Sequence, residues 1–424
     1  MNNGSAPVWY ALRKLAQRKV RLGALLPLLW RWRIEIILGL GVLFRVAQYL
    51  ADRPLWMDEG SIALNIERRP FSELFSELTA TQLAPPGFLF VEWVAVRALG
   101  ENSLALRLFP LVGGIAAVFL FYCVSLRVLR AQAELIAVGL FAVSDDLIYF
   151  ASEVKQYETD VAAGLLCSLM ALELASRPAS VARLCAFGVA GATVLWFSHP
   201  SAFVLAGTGT VLIASALARR EWRRAHLLAL MSLLWAASFA GVYAVSLELL
   251  GHKRDMWNFW SFAFPPIPPS SLWDATWMLR RFLYLFINPL DFLTPLGPTL
   301  SALAAASLFL AGSASMARRD KRTFWMLVAP GLFALLAAYL QLYPFHGRLV
   351  LFLVPSLLLL IAEGTACVGE AAGSRTLWAL LLGFLFLFST LGAFYHLAQP
   401  RQRYGLNRYG DNRPTAPDPP RFPF

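Results

Sequence analysis

Apolar stretches close to membrane-spanning length recur along almost the whole chain. They fall at 34–50, 86–99, 104–126, 133–150, 159–176, 181–198, 200–217, 226–249, 296–316, 323–340, 348–367 and 376–397. A helix crossing the hydrocarbon core needs about 20 largely apolar residues. Charged residues make up only 15% of the chain, against about 25% in a soluble domain. A string of soluble domains is therefore a poor fit. The pattern predicts one all-α, polytopic, membrane-embedded domain over 34–398, flanked by a basic arm at 1–33 and a tail at 399–424.

The net charge of +11 does not point to nucleic acid, because most of the charge sits in short clusters between apolar stretches. Such clusters act as topology signals. They also decide whether 86–99, which opens after Pro85-Pro86 and holds Glu92 and Arg97, crosses the membrane. If it does not, the clusters at Arg13–Arg33, Arg127/Arg130, Arg177/Arg183, Arg219–Arg224, Arg318–Arg322 and Arg375 all fall on one side. Counting it as a span would separate the N-terminal arm from the two largest clusters. The expectation is eleven spanning helices, with 86–99 as a juxtamembrane helix on the outer face. The N-terminus is then inside and the tail outside.

The basic N-terminal arm lacks a small-residue cleavage site after a short apolar core, so it reads as a retained cytoplasmic segment. Its stretch 22–30 suits the interface. The tail, ending TAPDPPRFPF, has the composition of a disordered segment. Cys123, Cys167, Cys185 and Cys367 all lie in apolar stretches without CxxC or Cys/His spacing, and read as small buried residues.

Four segments face outward: 51–103, 151–158, 250–295 and 341–348. Charge concentrates there, and Arg45 is the main charge noted inside a span. Asp58-Glu59 follows the first span. A carboxylate at that depth can serve as a general base, or bind a metal or a hydroxyl. The plain alternative is a helix cap, with Asp58 as N-cap and Glu59 in the first turn. In ASEVKQYETD, helical spacing puts Glu153, Tyr157 and Asp160 on one face and Lys155 on another; interfacial solvation would also explain such charges. His346 and Arg348 precede the 348–367 span, where an arginine can hold a phosphate through paired hydrogen bonds. Arg280-Arg281 lies in the Trp/Pro-rich third segment. Ion-coupled transporters keep ionisable groups near mid-membrane. Here they gather at the outward ends, which favours a reaction at the surface with an anionic headgroup held by Lys and Arg.

These stretches resemble a known family. WMDEGSIALNI, APPGFLFVEWVAVRALGENSLALRLFPLVGG, YFASEVKQYETD and HGRLVLFLVPSLLLLIAEG, in that order from about residue 34 to 370, look like the C superfamily of glycosyltransferases (GT-C). Within it they resemble the family 39-like group of protein O-mannosyltransferases and aminoarabinose transferases. The resemblance implies a sugar donor linked to a polyprenyl phosphate and transfer on the outer face. It gives Asp58 the role of general base, with Glu59 beside it. It matches the family's basic second-loop residue to Lys155, with Tyr157 two residues on, and a later one to Arg348. Lysine stands where the family often has arginine, which removes bidentate binding at that point. His346, Arg280 and Arg281 complete the expected phosphate-binding set.

Some superfamily members use a divalent metal, for which Glu153, Glu158 or Asp160 would serve; the reading favours no cofactor and no metal. The implied reaction is inverting displacement at the anomeric carbon, with a lipid, glycan or protein as acceptor. The expected setting is a bacterial inner membrane, with the site on its periplasmic face. The alternatives are a flippase or transporter of lipid-linked sugars without catalysis, and a non-catalytic scaffold.

Overall fold

A computed structural model describes residues 31–402 except 77, 79–81, 177–179, 248–253 and 293. The expectations for 22–30 and for most of the tail lie outside the described residues.

The elements run α1 (Arg33–Leu50), α2 (Met57–Arg68), a 3-10 turn (Phe71–Phe75), α3 (Pro86–Leu99), α4 (Ser103–Val128), α5 (Ala131–Val143), α6 (Asp145–Phe150), α7 (Tyr157–Ser176), α8 (Val181–Val194), α9 (Ser201–Ala218) and α10 (Trp222–Val242). The Trp/Pro-rich segment forms three short helices, α11 (Arg254–Phe259), α12 (Leu272–Ala275) and α13 (Trp277–Tyr284). Then come α14 (Pro298–Arg319), α15 (Lys321–Tyr339), α16 (Val354–Ala372), which continues a 3-10 turn at Gly347–Leu353, and α17 (Arg375–Ala398).

All eleven expected spans are helical. Among the described residues eight helical segments have the length and composition to cross a membrane. The other three are α1, which carries Arg33, Glu35 and Arg45, and the shorter apolar helices α5 and α8. The expected span 133–150 is broken at Ser144, whose extended backbone ends α5 and starts α6 on Asp145-Asp146. The sequence carries that signal, a serine and two acidic residues at a helix start.

The segment from Gly347 to Ala372 is almost wholly buried and forms the centre of the bundle, whereas α17 is peripheral. The crossing of α14 and α16 depends on two glycines. A Cβ at Gly312 would fall on the Leu360 carbonyl, and one at Gly364 on the Leu308 carbonyl. Small residues allow such backbone contact between membrane helices.

The bundle has two chemically distinct poles. At one, Arg319 donates to the Val128 carbonyl at 2.8 Å and pairs with Glu363 at 3.4 Å, Arg224 donates to the Leu174 carbonyl at 2.7 Å, and Arg127 pairs with Glu173. At the other, the loops after α1, α6 and α15 meet. The first loop builds a small apolar core of its own there, from Leu55, Ile62, Ile66, Phe88, Leu106 and Val154. Within it, α3 is a separate 14-residue helix. The Gly87 N–H bonds the Trp196 carbonyl at 2.7 Å, so α3 rests on the turn after α8.

Candidate active site

The first turn of α2 puts two neighbouring carboxylates in different environments. Trp56, not Asp58, is the N-cap. The capping bond comes from Glu59, whose Oε2 accepts from the Trp56 N–H at 3.2 Å. Glu59 is fully buried. Arg53 reaches it at 2.6 Å and Arg107 of α4 at 3.1 Å, and the Val154 N–H donates to it at 3.0 Å. Arg53 also donates to the Ser152 carbonyl at 2.9 Å. Glu59 thus ties the first loop, α4 and the second loop together. Charge-assisted bonds of this kind are among the stronger ones in proteins.

Asp58 points the other way. Its carboxylate forms an ion pair with Arg348 and keeps about a fifth of its side-chain surface exposed. Arg348 is held from three further sides. Its guanidinium carbon lies 5.2 Å from the Trp56 ring centre and 5.3 Å from that of Tyr157, and Glu153 is 4.0 Å away. Cation–π contacts of this sort fix a guanidinium without neutralising it. Trp56 in turn donates from its indole to Glu153 at 3.2 Å.

Lys155 is buried beside them, its ammonium bonded to Gln82 of the first loop. Burial lowers its pKa to about 8; the carboxylates of Asp58, Glu153 and Glu59 oppose that shift and Arg348 adds to it. The helix expected to run back through Glu153 begins at Tyr157, and 151–156 is a chain of tight turns. That is why Lys155 and Tyr157 both reach the centre although helical spacing separates them.

The remaining expected residues divide. Arg281 donates to His346 Nδ1 at 2.7 Å, and the His346 ring stacks on Tyr284 at 4.8 Å between centres. Burial, then the charges of Arg281 and Arg348, lower the His346 pKa to about 3, so the ring is neutral. This pair borders the Arg348 centre. Arg280 does not: it stacks on Trp273 at 3.7 Å and donates to the Trp273 carbonyl at 2.7 Å on an exposed surface.

Sequence reasoning missed Arg53 and Arg107, which hold Glu59, and Gln82, the partner of Lys155. Spacing alone gives no signal for them. The carboxylates considered as metal ligands are committed elsewhere: Glu153 to Trp56, Glu158 to Arg45 at 3.7 Å, and Asp160 to Ser198. Among the described residues no set of three His, Cys, Asp or Glu side chains is placed to hold a metal ion.

No protein-family model matches the chain. No curated protein matches it either. Solved structures do. ArnT from Cupriavidus metallidurans in the apo state superposes with a TM-score of 0.51 at 18% identity, over 85% of this chain and 64% of that one. The same protein bound to undecaprenyl phosphate gives 0.52 at 16% identity, over 86% and 65%. The oligosaccharyltransferase AglB from Archaeoglobus fulgidus, in complex with an inhibitory peptide and a dolichol-phosphate, gives 0.51 at 14% identity, over 90% of this chain and 57% of that one. The chain thus spans a little under two thirds of the length of the ArnT structures. With eight span-length helices among the described residues and these superpositions, the chain has the fold of these polytopic membrane proteins, the GT-C fold.

Proposed function

We propose that the protein transfers a sugar from a polyprenyl-phosphate carrier to an acceptor hydroxyl, with inversion at the anomeric carbon and Asp58 as the general base. The observation that carries this reading is the ion pair between Asp58 and Arg348, at the pole where the outer loops meet. A partly exposed carboxylate lies against a fixed cation, with a second cation, Lys155, beside them, which supports a base next to a phosphate site. Two of the similar structures hold undecaprenyl phosphate or a dolichol-phosphate, which supports a lipid phosphate as the leaving group.

In the proposed reaction the donor phosphate binds Arg348 and Lys155 and competes with Asp58 for the Arg348 guanidinium. The Asp58 carboxylate is then free to accept the acceptor's proton as the hydroxyl oxygen attacks the anomeric carbon. The bond to the phosphate oxygen breaks and the lipid phosphate leaves as an anion. Fixed cations near developing phosphate charge are the usual form of electrostatic stabilisation. Arg281, its hydrogen bond to neutral His346 leaving its charge intact, borders the same anion. No step runs through a metal. By the positive-inside rule the arginine-rich pole reads as the cytoplasmic side, which supports a site on the outer, periplasmic face of a bacterial inner membrane. The acceptor is a lipid, glycan or protein hydroxyl.

The test uses purified protein in detergent with a polyprenyl-phosphate sugar and a panel of hydroxyl acceptors. Release of lipid phosphate together with acceptor glycosylation is expected, and Asp58→Asn should slow both by about 10²–10⁴ while still inserting in the membrane. Movement of intact donor across vesicles without bond cleavage would replace this reading with a flippase.

A further inference from the structure

A second polar assembly lies next to the catalytic pole and contains none of the residues assigned above. Its hub is Arg401, just past the end of α17. Its guanidinium pairs with Asp145 and, at 2.7 Å, with Asp146 at the start of α6. Gln48 of α1 fixes its backbone from both sides, donating to the Arg401 carbonyl at 2.8 Å and accepting from its N–H at 3.3 Å. His396 reaches Asp145 at 3.6 Å. Asp291 faces the same cluster; burial and the nearby Asp146 charge push its carboxyl up to about 7, with Arg401 opposing. Residues 48, 145–146 and 291, distant in sequence, are thus gathered around Arg401.

The assembly touches the catalytic loop through one residue. Tyr149 of α6 is fully buried. The Arg401 guanidinium lies 5.1 Å from its ring centre and the Arg53 guanidinium 4.6 Å. Arg53 is the residue that grips Glu59 and the Ser152 carbonyl. Two cations on one aromatic ring, each also held by carboxylates, restrict where that ring can sit. The ring therefore carries the position of Arg401 to the clamp that sets the first turn of α2.

We propose that Arg401 is a positioning residue: by anchoring α6 and packing on Tyr149, it sets the Arg53–Glu59 clamp and hence the placement of Asp58. The catalytic part of this inference rests on the glycosyl-transfer reading; the structural coupling does not.

The experiment compares Arg401→Met, Arg401→Lys and Tyr149→Leu in the full chain. Hydrogen exchange is read on peptides covering 53–60 and 153–155, whose Trp56 and Val154 amides bond Glu59, and on α14 as a folding control. Arg401→Met is expected to speed exchange in both loop peptides about tenfold, a size such couplings reach, and to leave α14 protected. It should lower kcat by a similar factor with little change in donor KM. Arg401→Lys should recover part of both effects. The Arg401→Met/Tyr149→Leu double variant should be little worse than either single one, since both cut the same link. If Arg401→Met fails to fold, Tyr149→Leu, which keeps the ion pairs, is read in the same way. Unchanged exchange at 53–60 in a folded variant, or fully additive losses, would overturn the proposal. A wild type inactive on every polyprenyl-phosphate sugar would defeat the transfer reading while the exchange data still decide the coupling.

Discussion

Asp58 and Arg348, 290 residues apart in sequence, are bonded to each other at the pole where the loops after α1, α6 and α15 meet. The pair joins a candidate base to a candidate phosphate cation, so each should be sensitive to loss of the other. Asp58→Asn is expected to reduce kcat by about 10²–10⁴, the range general-base catalysis supplies, and to bind donor at least as well as wild type because Arg348 loses its competitor. Arg348→Met should weaken donor binding, with Arg348→Lys recovering only part. Single-turnover rates and donor titrations separate the two. Tighter donor binding in Arg348→Met than in wild type would contradict the competition.

Glu59 should behave as a stability residue. Replacing it by Gln removes the buried counter-charge that Arg53 and Arg107 share and leaves Arg107 only the half-exposed Asp52 at 3.8 Å, a loss of about 3–5 kcal/mol for a broken buried pair. Thermal unfolding in detergent is expected to shift strongly downward for Glu59→Gln and little for Asp58→Asn, whose side chain is partly exposed. Equal shifts would contradict the division of roles.

Lys155 gives a pH signature. Its charged form is the one that attracts a phosphate, and burial lowers its pKa to about 8. kcat/KM should therefore fall as pH rises through about 8. The sign for stability is opposite. Between about 8 and the ordinary lysine value of 10.5 the unfolded chain binds more protons than the folded one, so this group makes the protein more stable as pH rises through that window. Loss of activity at pH 9 without loss of folded protein is the expected result, and Lys155→Met should flatten that limb.

The two adjacent arginines of α13 should separate cleanly. Arg280→Ala removes an exposed stack on Trp273 and should leave transfer within about twofold, as surface changes usually do. Arg281→Ala removes the donor to His346, two residues before Arg348, and on the proposed reading should cost donor affinity. Matched losses in the two variants would contradict the placement of Arg280 outside the site.

Gly312→Leu and Gly364→Leu should prevent the α14–α16 approach altogether, since even a Cβ at either position meets the opposing backbone. Lower yield of folded protein and a lower melting temperature are the measurable outcomes, with Gly383→Leu as a tolerated control, because a Cβ there meets nothing within 4 Å.

The helical, polytopic architecture was legible because lipid demands long apolar helices and leaves them plainly visible. That α3 stands apart from the span-length helices was legible for a different reason: counting it as a span scatters Arg13–Arg33 and Arg318–Arg322 to opposite sides. The break at Ser144 was missed because Asp145 and Asp146 sit inside an apolar stretch and are neutralised by Arg401, which lies beyond the last helix. The helix expected through Glu153 failed because 151–156 serves as a hinge of tight turns, its amide at Val154 spent on Glu59. Arg53, Arg107 and Gln82 were illegible in principle, since their importance comes from what the fold brings beside them.

The Arg53–Glu59–Arg107 clamp also has a consequence for how the chain is made. Its members come from residues 53 to 107, and its last hydrogen bond from Val154. At about 5–20 residues per second of synthesis, Arg348 follows Val154 by roughly 10–40 s. The first loop can therefore be locked in its final shape by the early part of the polypeptide. The Asp58 carboxylate then waits for Arg348 until the late helices arrive. Biogenesis delivers Asp58 first and Arg348 last, so a nascent chain carries the loop before the ion pair can close it.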